Sequence, residues 1–404
     1  MLIANPRATR TAYPAELHAI LSVARAQESR NWLAHWDEIR RGPTPLYALK
    51  GLAKALGLGQ VLLKDESVRS GLGSFKVLGA PIALVRLAMR LWPQEKMDPQ
   101  ALFAGRHRAL LRDFTVISAT DGNHGRALAA AARSLGCRCV IVLHAHVSAE
   151  REHAIAACGA EIVRIAGNYD ASVAQAAHLA RANGWHVVSD TSYEGYEDIP
   201  RDVMQGYGTV AAEIVEAVAG SASPPTHVFL QGGVGGFPAA IVSYLWEAYG
   251  EQRPTIVVVE PEQADCLYQS ALQGRPAKAS GAVDSVMAGL ACGETSPLAW
   301  RFLERGADWF MTVKDEEAVQ AMQALARGEA EDLPVVSGES GAAGLAGLLQ
   351  LMRRPGPASR AGLGRESSVL LVNTEGATAP AVYRQLVGVS AETVSSRQRE
   401  FLGR

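Results

Sequence analysis

Short apolar runs alternate with helix-length stretches along most of this chain of 404 residues, and the polar connections between them are brief. In one such series, residues 114–119, 140–143, 161–165 and 185–189 read as strands. Between them lie helices over 126–135, closed by Gly136, from Ser148 to Gly159, and from Asp170 to Gly184. Ser148 and Asp170 are capping residues, Glu150 complements the dipole in a first turn, and each glycine suits a helix end. A strand followed by a helix and another strand on so short a tether returns parallel to the first, through a right-handed crossover. A second series opens near Tyr207 with a helix to Ala219, then a strand over 226–230, a helix from Pro238 to Tyr249 and a strand over 255–259. The fold class is therefore α/β. A chain of this length exceeds one ordinary core, so two doubly wound parallel-sheet lobes are expected, with a ligand in the cleft between them. Residues 1–75 and 205–404 are assigned to the large lobe and 76–204 to the small one.

The remaining stretches are less regular. Residues 1–40 read as a packing arm, 47–56 as a helix stopped by Gly57, 61–64 as a strand, and 77–91 as a long apolar helix. Residues 92–112 read as a polar crossing between lobes and 262–294 as loops and short helices beside the cleft. Helices are expected over 316–326 and 342–352, a loop over 353–368 and a last core strand over 369–372. Lys plus Arg number 39 against 41 for Asp plus Glu, so neither nucleic acid nor a membrane surface is the expected partner. Only residues 228–246 are long and uncharged enough to mimic a membrane span, and Gln231, four glycines and Pro238 break them into strand, loop and helix. The first 14 residues lack the apolar core of a signal peptide, which points to the cytoplasm. Five cysteines without zinc spacing imply no metal site and no disulfide framework, although Cys266 and Cys292 leave a reversible pair open.

In parallel sheets ligands gather beyond the carboxyl ends of strands, so the loops there carry the functional signal. Lys76 sits at the mouth of an apolar helix, where desolvation and the positive helix end both disfavour its charge; alone it reads either as a nucleophilic amine or as an ordinary solvated first-turn lysine. In Gln231-Gly232-Gly233-Val234-Gly235-Gly236-Phe237, four glycines in five positions let successive N–H groups converge on one anion. That is a phosphate cradle; a dinucleotide turn is its rival, with Glu260 as the ribose acid. Against the rival, Pro238 stands where a third fingerprint glycine belongs. The loop Thr120 to Gly125, with Asp121, Asn123 and His124, reads either as a helix cap or as ligand contacts. Thr374 offers a hydroxyl after the last strand, a partner for a ring nitrogen that does not force its protonation.

The wording Lys64-Asp65-Glu66-Ser67, a glycine-bearing loop and Ser74-Phe75-Lys76 resembles the cofactor-anchoring segment of pyridoxal-phosphate enzymes of the tryptophan-synthase β-subunit type. Within that group, Ala119-Thr120-Asp121-Gly122-Asn123-His124-Gly125-Arg126 and Asn373-Thr374-Glu375-Gly376 look like the diaminopropionate ammonia-lyases, and the likeness runs from Gly42 to Pro380. The resemblance implies pyridoxal 5'-phosphate bound through Lys76 beside Phe75, its phosphate on Gly232, Gly233, Val234, Gly235 and Gly236, its phenolic oxygen on Asn123 and its ring nitrogen on Thr374. It implies elimination of ammonia from D- or L-2,3-diaminopropionate, giving pyruvate and two ammonia. Asp121 is then assigned to deprotonate the D-isomer and Asp190, with Lys76, the L-isomer. Ser74, Thr120, His124, Tyr196, Glu339 and Ser340 are assigned to the substrate, and a homodimer is expected. Two departures stand out: Gly233 and Gly236 enrich the phosphate loop, and Ala379-Pro380 follows Thr378 where an acid is usual. The alternatives are a dehydratase of serine, threonine or hydroxyaspartate, a non-catalytic pyridoxal-binding protein, and a nicotinamide oxidoreductase resting on the glycine loop alone.

Overall fold

The computed structural model describes residues 1–120, 122–145, 147–167, 169–220, 224–329 and 331–403, with backbone alone at 170 and 355. Its strands, in chain order, are β1 (Leu2–Ala4), β2 (Leu46–Ala48), β3 (Gln60–Asp65), β4 (Thr115–Ala119), β5 (Arg138–Leu143), β6 (Glu161–Arg164), β7 (His186–Val187), β8 (His227–Gln231), β9 (Thr255–Pro261), β10 (Trp309–Val313) and β11 (Ser368–Asn373). They form a seven-stranded sheet, β1-β10-β9-β8-β11-β3-β2, and a four-stranded sheet, β6-β5-β4-β7. The small sheet is parallel throughout. In the large sheet the five inner strands are parallel, while the edge strands β1 and β2 pair antiparallel with β10 and β3.

Alternation along the inner strands divides the apolar core between the two faces of the large sheet. Leu62, Val228, Ile256 and Leu370 join one cluster, and Val61, Leu63, Val257 and Val369 the other. That is the period of two demanded by a sheet covered on both faces. Among the described residues no helix is long and apolar enough to cross a membrane.

Three departures from the sequence reading have local causes. The first turn expected in the helix over 47–56 is instead β2, since the Leu49 amide bonds to Val61 O at 2.8 Å and draws the chain onto the edge of β3; the helix proper is Lys50–Leu56, and Gly57 ends it at φ 67°. The expected helix over 77–91 is a 3-10 turn, Phe75–Leu78, followed by a separate helix, Ala80–Leu91, whose start is set by Pro81, a residue with no N–H to donate. Finally, β10 and β1 were not read as strands, and the expected loop over 353–368 contains a short helix, Pro355–Arg360.

Behind the Lys76 turn lies the long helix Asp198–Ala219, which begins well before Tyr207. Its Gly206 allows the backbone of Leu78 to lie against it, because a Cβ there would stand 1.9 Å from Leu78 O. Further along the same helix, Glu213 accepts from Lys64 Nζ at 2.6 Å and from Arg69 at 2.7 Å, and Arg69 also pairs with Glu66 at 2.8 Å. These four charges are almost fully buried. Two cations against two carboxylates balance, and removing one partner from such a set typically costs about 3–5 kcal/mol.

Gly206→Ala is expected to lower stability by about 1–3 kcal/mol through overpacking, read as a lower urea midpoint. Gly220→Ala, with nothing within 4 Å of the added carbon and a right-handed backbone, is expected to change it little.

Candidate active site

Register brings the chemistry-bearing loops together. β3 and β11 run parallel with Asp65 opposite Asn373, and the Asn373 amide donates to the Asp65 carboxylate at 2.8 Å. The segments leaving these strands therefore continue side by side: the Phe75 amide donates to Thr374 O at 3.0 Å, and Ser74 bridges Glu375. Lys76 follows at once and reaches across to the small sheet, where its Nζ donates to Asp190 Oδ2 just beyond β7.

Nζ also lies 5.3 Å from the Phe75 ring centroid and 5.7 Å from that of Tyr207, an arrangement that favours a cation. Burial pulls the Lys76 ammonium toward neutrality, yet the Asp190 carboxylate outweighs it and holds the amine above its ordinary range. Burial likewise pushes the Asp190 carboxyl up, and Lys76 outweighs that and holds it below the usual carboxylate range. The expectation of a lysine with a disfavoured charge is thus corrected: what the sequence left out was a counter-charge from the other sheet.

His124 lines the same cavity. Its Nε2 lies 2.9 Å from Val188 O, Nδ1 stands 3.9 Å from Asp190, and burial lowers its pKa. A proton on Nε2 lets the ring donate to that carbonyl, while Nδ1 has no hydrogen-bond partner among the described residues. Thr120 and Asn123 line the cavity too, and Asn123 Nδ2 donates to Glu375 Oε2. The other Glu375 oxygen accepts from the Ser340 amide at 3.0 Å, while Ser340 Oγ accepts from the Gly289 amide at 3.0 Å. Asp121 lies outside the described residues.

The glycine loop follows β8 and leads into the helix Gly236–Tyr249. Gly233, Val234, Gly235 and Gly236 line the cavity. Gly235 adopts φ +102°, and a Cβ on Gly233 would stand 2.8 Å from Cys292 Sγ. Backbone is thereby exposed at the positive end of a helix, as an anion requires. Gly232 is not part of that lining; its amide bonds to Val259 O at 2.9 Å, and a Cβ would meet Leu267 at 2.5 Å, so packing accounts for this glycine. Thr374 lines the cavity with its Oγ1 accepting from Gln231 Nε2 at 2.9 Å, which leaves the hydroxyl proton available for another acceptor.

Other positions from the sequence lie outside the lining. Tyr196 donates its hydroxyl to Val187 O at 3.0 Å and accepts from the Ser189 amide at 2.9 Å, propping the strand end that carries Asp190. Ser74 is buried and contributes a backbone bridge. Glu339 is buried behind Ser340, and burial first, then the neighbouring Glu375, pushes its carboxyl up to about 7. Glu260 is no ribose acid: it accepts from the Leu267 and Tyr268 amides at 2.8 and 2.7 Å, at the start of the helix Cys266–Gln273. The five cysteines form no disulfide, so Cys266 and Cys292 are not bridged. Sequence reasoning missed Glu375, Tyr207, Arg126, Arg151 and Cys292 as lining residues. Glu375 was within reach, since it is an acid directly beside Thr374.

An amine, a glycine-lined anion cradle at a helix start and a hydroxyl with a proton to give, all on one cavity, match the demands of a pyridine aldehyde phosphate. Residues 38–374 match the family described as pyridoxal-phosphate dependent enzyme, and the chain belongs to it. Within that class it is a member of the diaminopropionate ammonia-lyase family: the Escherichia coli (strain K12) diaminopropionate ammonia-lyase is 40% identical over 349 residues, which cover 85% of this chain and 87% of that one. The holo form of the Escherichia coli enzyme superimposes with a TM-score of 0.87 at 36% identity, covering 96% of each chain. The same enzyme in complex with D-serine gives 0.86 at 36% identity with the same coverage.

Between pH 4.5 and 7 the native state keeps a proton on Glu339 that the unfolded chain releases, so stability falls as pH rises through that window and the cost is complete above it. Glu339→Gln removes this cost. Its unfolding free energy from urea titration is expected to exceed that of the parent near about pH 8, by roughly 1–3 kcal/mol, and to approach it near about pH 5.

Proposed function

We propose that this protein is a pyridoxal-phosphate-dependent ammonia-lyase that converts 2,3-diaminopropionate, as the D- or L-isomer, to pyruvate and two ammonia. The observation that carries this reading is the contact of Lys76 with Asp190 on the cavity that the glycine loop also lines. Lys76 would hold the cofactor covalently, Gly233 to Gly236 its phosphate, Asn123 its phenolic oxygen and Thr374 its ring nitrogen, while Gly232 serves the packing beneath. Once bound, pyridoxal phosphate supplies an electron sink that acidifies the substrate Cα–H and lets a β substituent depart.

The protein's own groups divide the remaining work. Asp190 Oδ2, in contact with Nζ, is placed to take the lysine proton and to act as a base on one face. Gln231 orients Thr374 so that its hydroxyl donates rather than accepts. Glu375, held by Asn123 and the Ser340 amide, presents a carboxylate to a substrate that carries a second ammonium. Asp121 is assigned to the D-isomer and Asp190, with Lys76, to the L-isomer. Thr120, His124 and Ser340 are the substrate contacts we retain.

We further read residues 1–75 and 205–404 as one domain and 76–204 as the other; in support, every strand of the small sheet falls within residues 115–187. A cytoplasmic homodimer is the state we assign, the dimer by family resemblance; no helix among the described residues is long and apolar enough to cross a membrane. The Escherichia coli relative's complex with D-serine gives a dehydratase reading one point in its favour.

The test is pyruvate release from D- and L-diaminopropionate against D- and L-serine; no turnover of either diamino acid would remove the proposal. Lys76→Ala is expected to abolish turnover and the cofactor's absorbance in the purified protein. Asp190→Asn is expected to lower kcat/KM by about 10²–10⁴-fold for the L-isomer and by much less for the D-isomer.

A further inference from the structure

A second cavity, of about 790 Å³, lies on the far side of the turn that carries Lys76. Leu78 forms part of its wall, while Lys76, on the same 3-10 turn, lines the active-site cavity. The long helix 198–219 is shared in the same way: Tyr207 lines the active site, and Thr209 and Glu213 line the second cavity. One packed layer therefore separates the two.

The charges around this cavity are lopsided. Arg30, Arg40, Arg41, Arg69 and Arg106 line it, against the carboxylates of Asp37 and Glu213. Glu213 is committed to Lys64 and Arg69 beneath the floor. Arg30 pairs with Glu216, and Arg41 reaches Asp37 only at 4.0 Å with both side chains almost fully exposed, an arrangement of little energetic weight. Among the described residues, Arg40 and Arg106 have no ion-pair partner. Thr209, 3% exposed, carries a hydroxyl that also has no hydrogen-bond partner, and a buried polar group in that state costs free energy until something meets it. Leu33, Phe103 and Leu78 add apolar wall.

Guanidinium groups match the oxygens of phosphate in paired hydrogen bonds, and a lining of five arginines against two carboxylates favours an anion. The volume far exceeds what one inorganic phosphate fills, and the apolar wall suits an organic portion. We propose that this cavity is a binding site for a phosphorylated small molecule, held by Arg40, Arg41 and Arg106 with Thr209 at its inner end, and that occupancy shifts the Lys76 turn through Leu78. The ligand acts as an effector, since the cavity holds none of the groups assigned to the reaction.

The probe is inorganic tripolyphosphate, titrated by calorimetry into the full chain loaded with pyridoxal phosphate, at fixed ionic strength. Saturable binding is expected, with an affinity that falls as potassium chloride is raised. Arg40→Ala with Arg106→Ala is expected to weaken it at least about tenfold, and Thr209→Val by about threefold to tenfold, with unchanged urea midpoints for the arginine pair. Occupancy is also expected to alter the absorbance or fluorescence of the bound cofactor, and the arginine variant to lose that response. Absence of saturable binding overturns the site, as does binding that the arginine variant leaves intact. Binding without any change in the cofactor signal overturns the coupling. The calorimetric arm can be repeated on protein without added cofactor, so its result stands apart from the reading of the active site.

Discussion

The contact on which the rest depends is the seating of the Lys76 turn against helix 198–219. Gly206 admits the Leu78 carbonyl, and Gly79 lies so close that a Cβ would meet the Tyr207 ring at 2.5 Å. Tyr207 then packs on Phe75 with ring centroids 4.7 Å apart. Nearly two turns further along, Glu213 neutralises the charges buried under β3. Dense packing transmits displacement instead of absorbing it, so this one helix fixes the position of the Lys76 amine relative to the sheet it came from.

Two polar contacts then fix that sheet relative to the other. Lys76, which follows β3, meets Asp190, which follows β7; Asn123, which follows β4, meets Glu375, which follows β11. Both pairs join strand ends of opposite sheets. Apolar contact alone resists separation but tolerates sliding, whereas hydrogen bonds to charged groups are directional and stronger than neutral ones. The cleft is therefore held in register by the same groups to which the proposed chemistry is assigned. Charge changes at Lys76 or Glu375 alter how the sheets are held as well as what the site can do.

Much of this was legible in residue order, and the limits have physical causes. The βα alternation fixed two parallel sheets because crossovers leave few other arrangements. The glycine loop drew attention because four glycines in five positions are costly in an idle loop, and Lys76 because a charge at the mouth of an apolar helix is costly unless it is paired or used. Edge pairing was not: β1 joins β10 across some three hundred residues, and no local pattern in Leu2–Ala4 encodes that partner. Tyr196 shows a subtler limit, for a polar aromatic beside a cavity serves the backbone of its own strand end. Gly232 and Glu260 were assigned by position in a motif, and each proved to answer a packing or capping need one layer below. The Lys76 charge state was misjudged because its decisive neighbour is 114 residues away.

That neighbour also resolves an apparent contradiction. A carboxylate held below its usual range is a weak base, which ill suits Asp190 to proton abstraction. Its acidity has a single main external cause, the Lys76 ammonium, with His124 second. His124 is itself driven toward neutrality by burial, so the lysine charge carries most of the effect. When the lysine nitrogen gives up that charge, desolvation is left as the dominant influence on Asp190, and desolvation raises a carboxyl. The proton affinity of Asp190 is thus tied to the charge on Lys76: it is low while the amine is a cation and rises once that charge is gone. A pair of opposite charges in a part-buried cleft thereby couples the protonation of each group to that of the other.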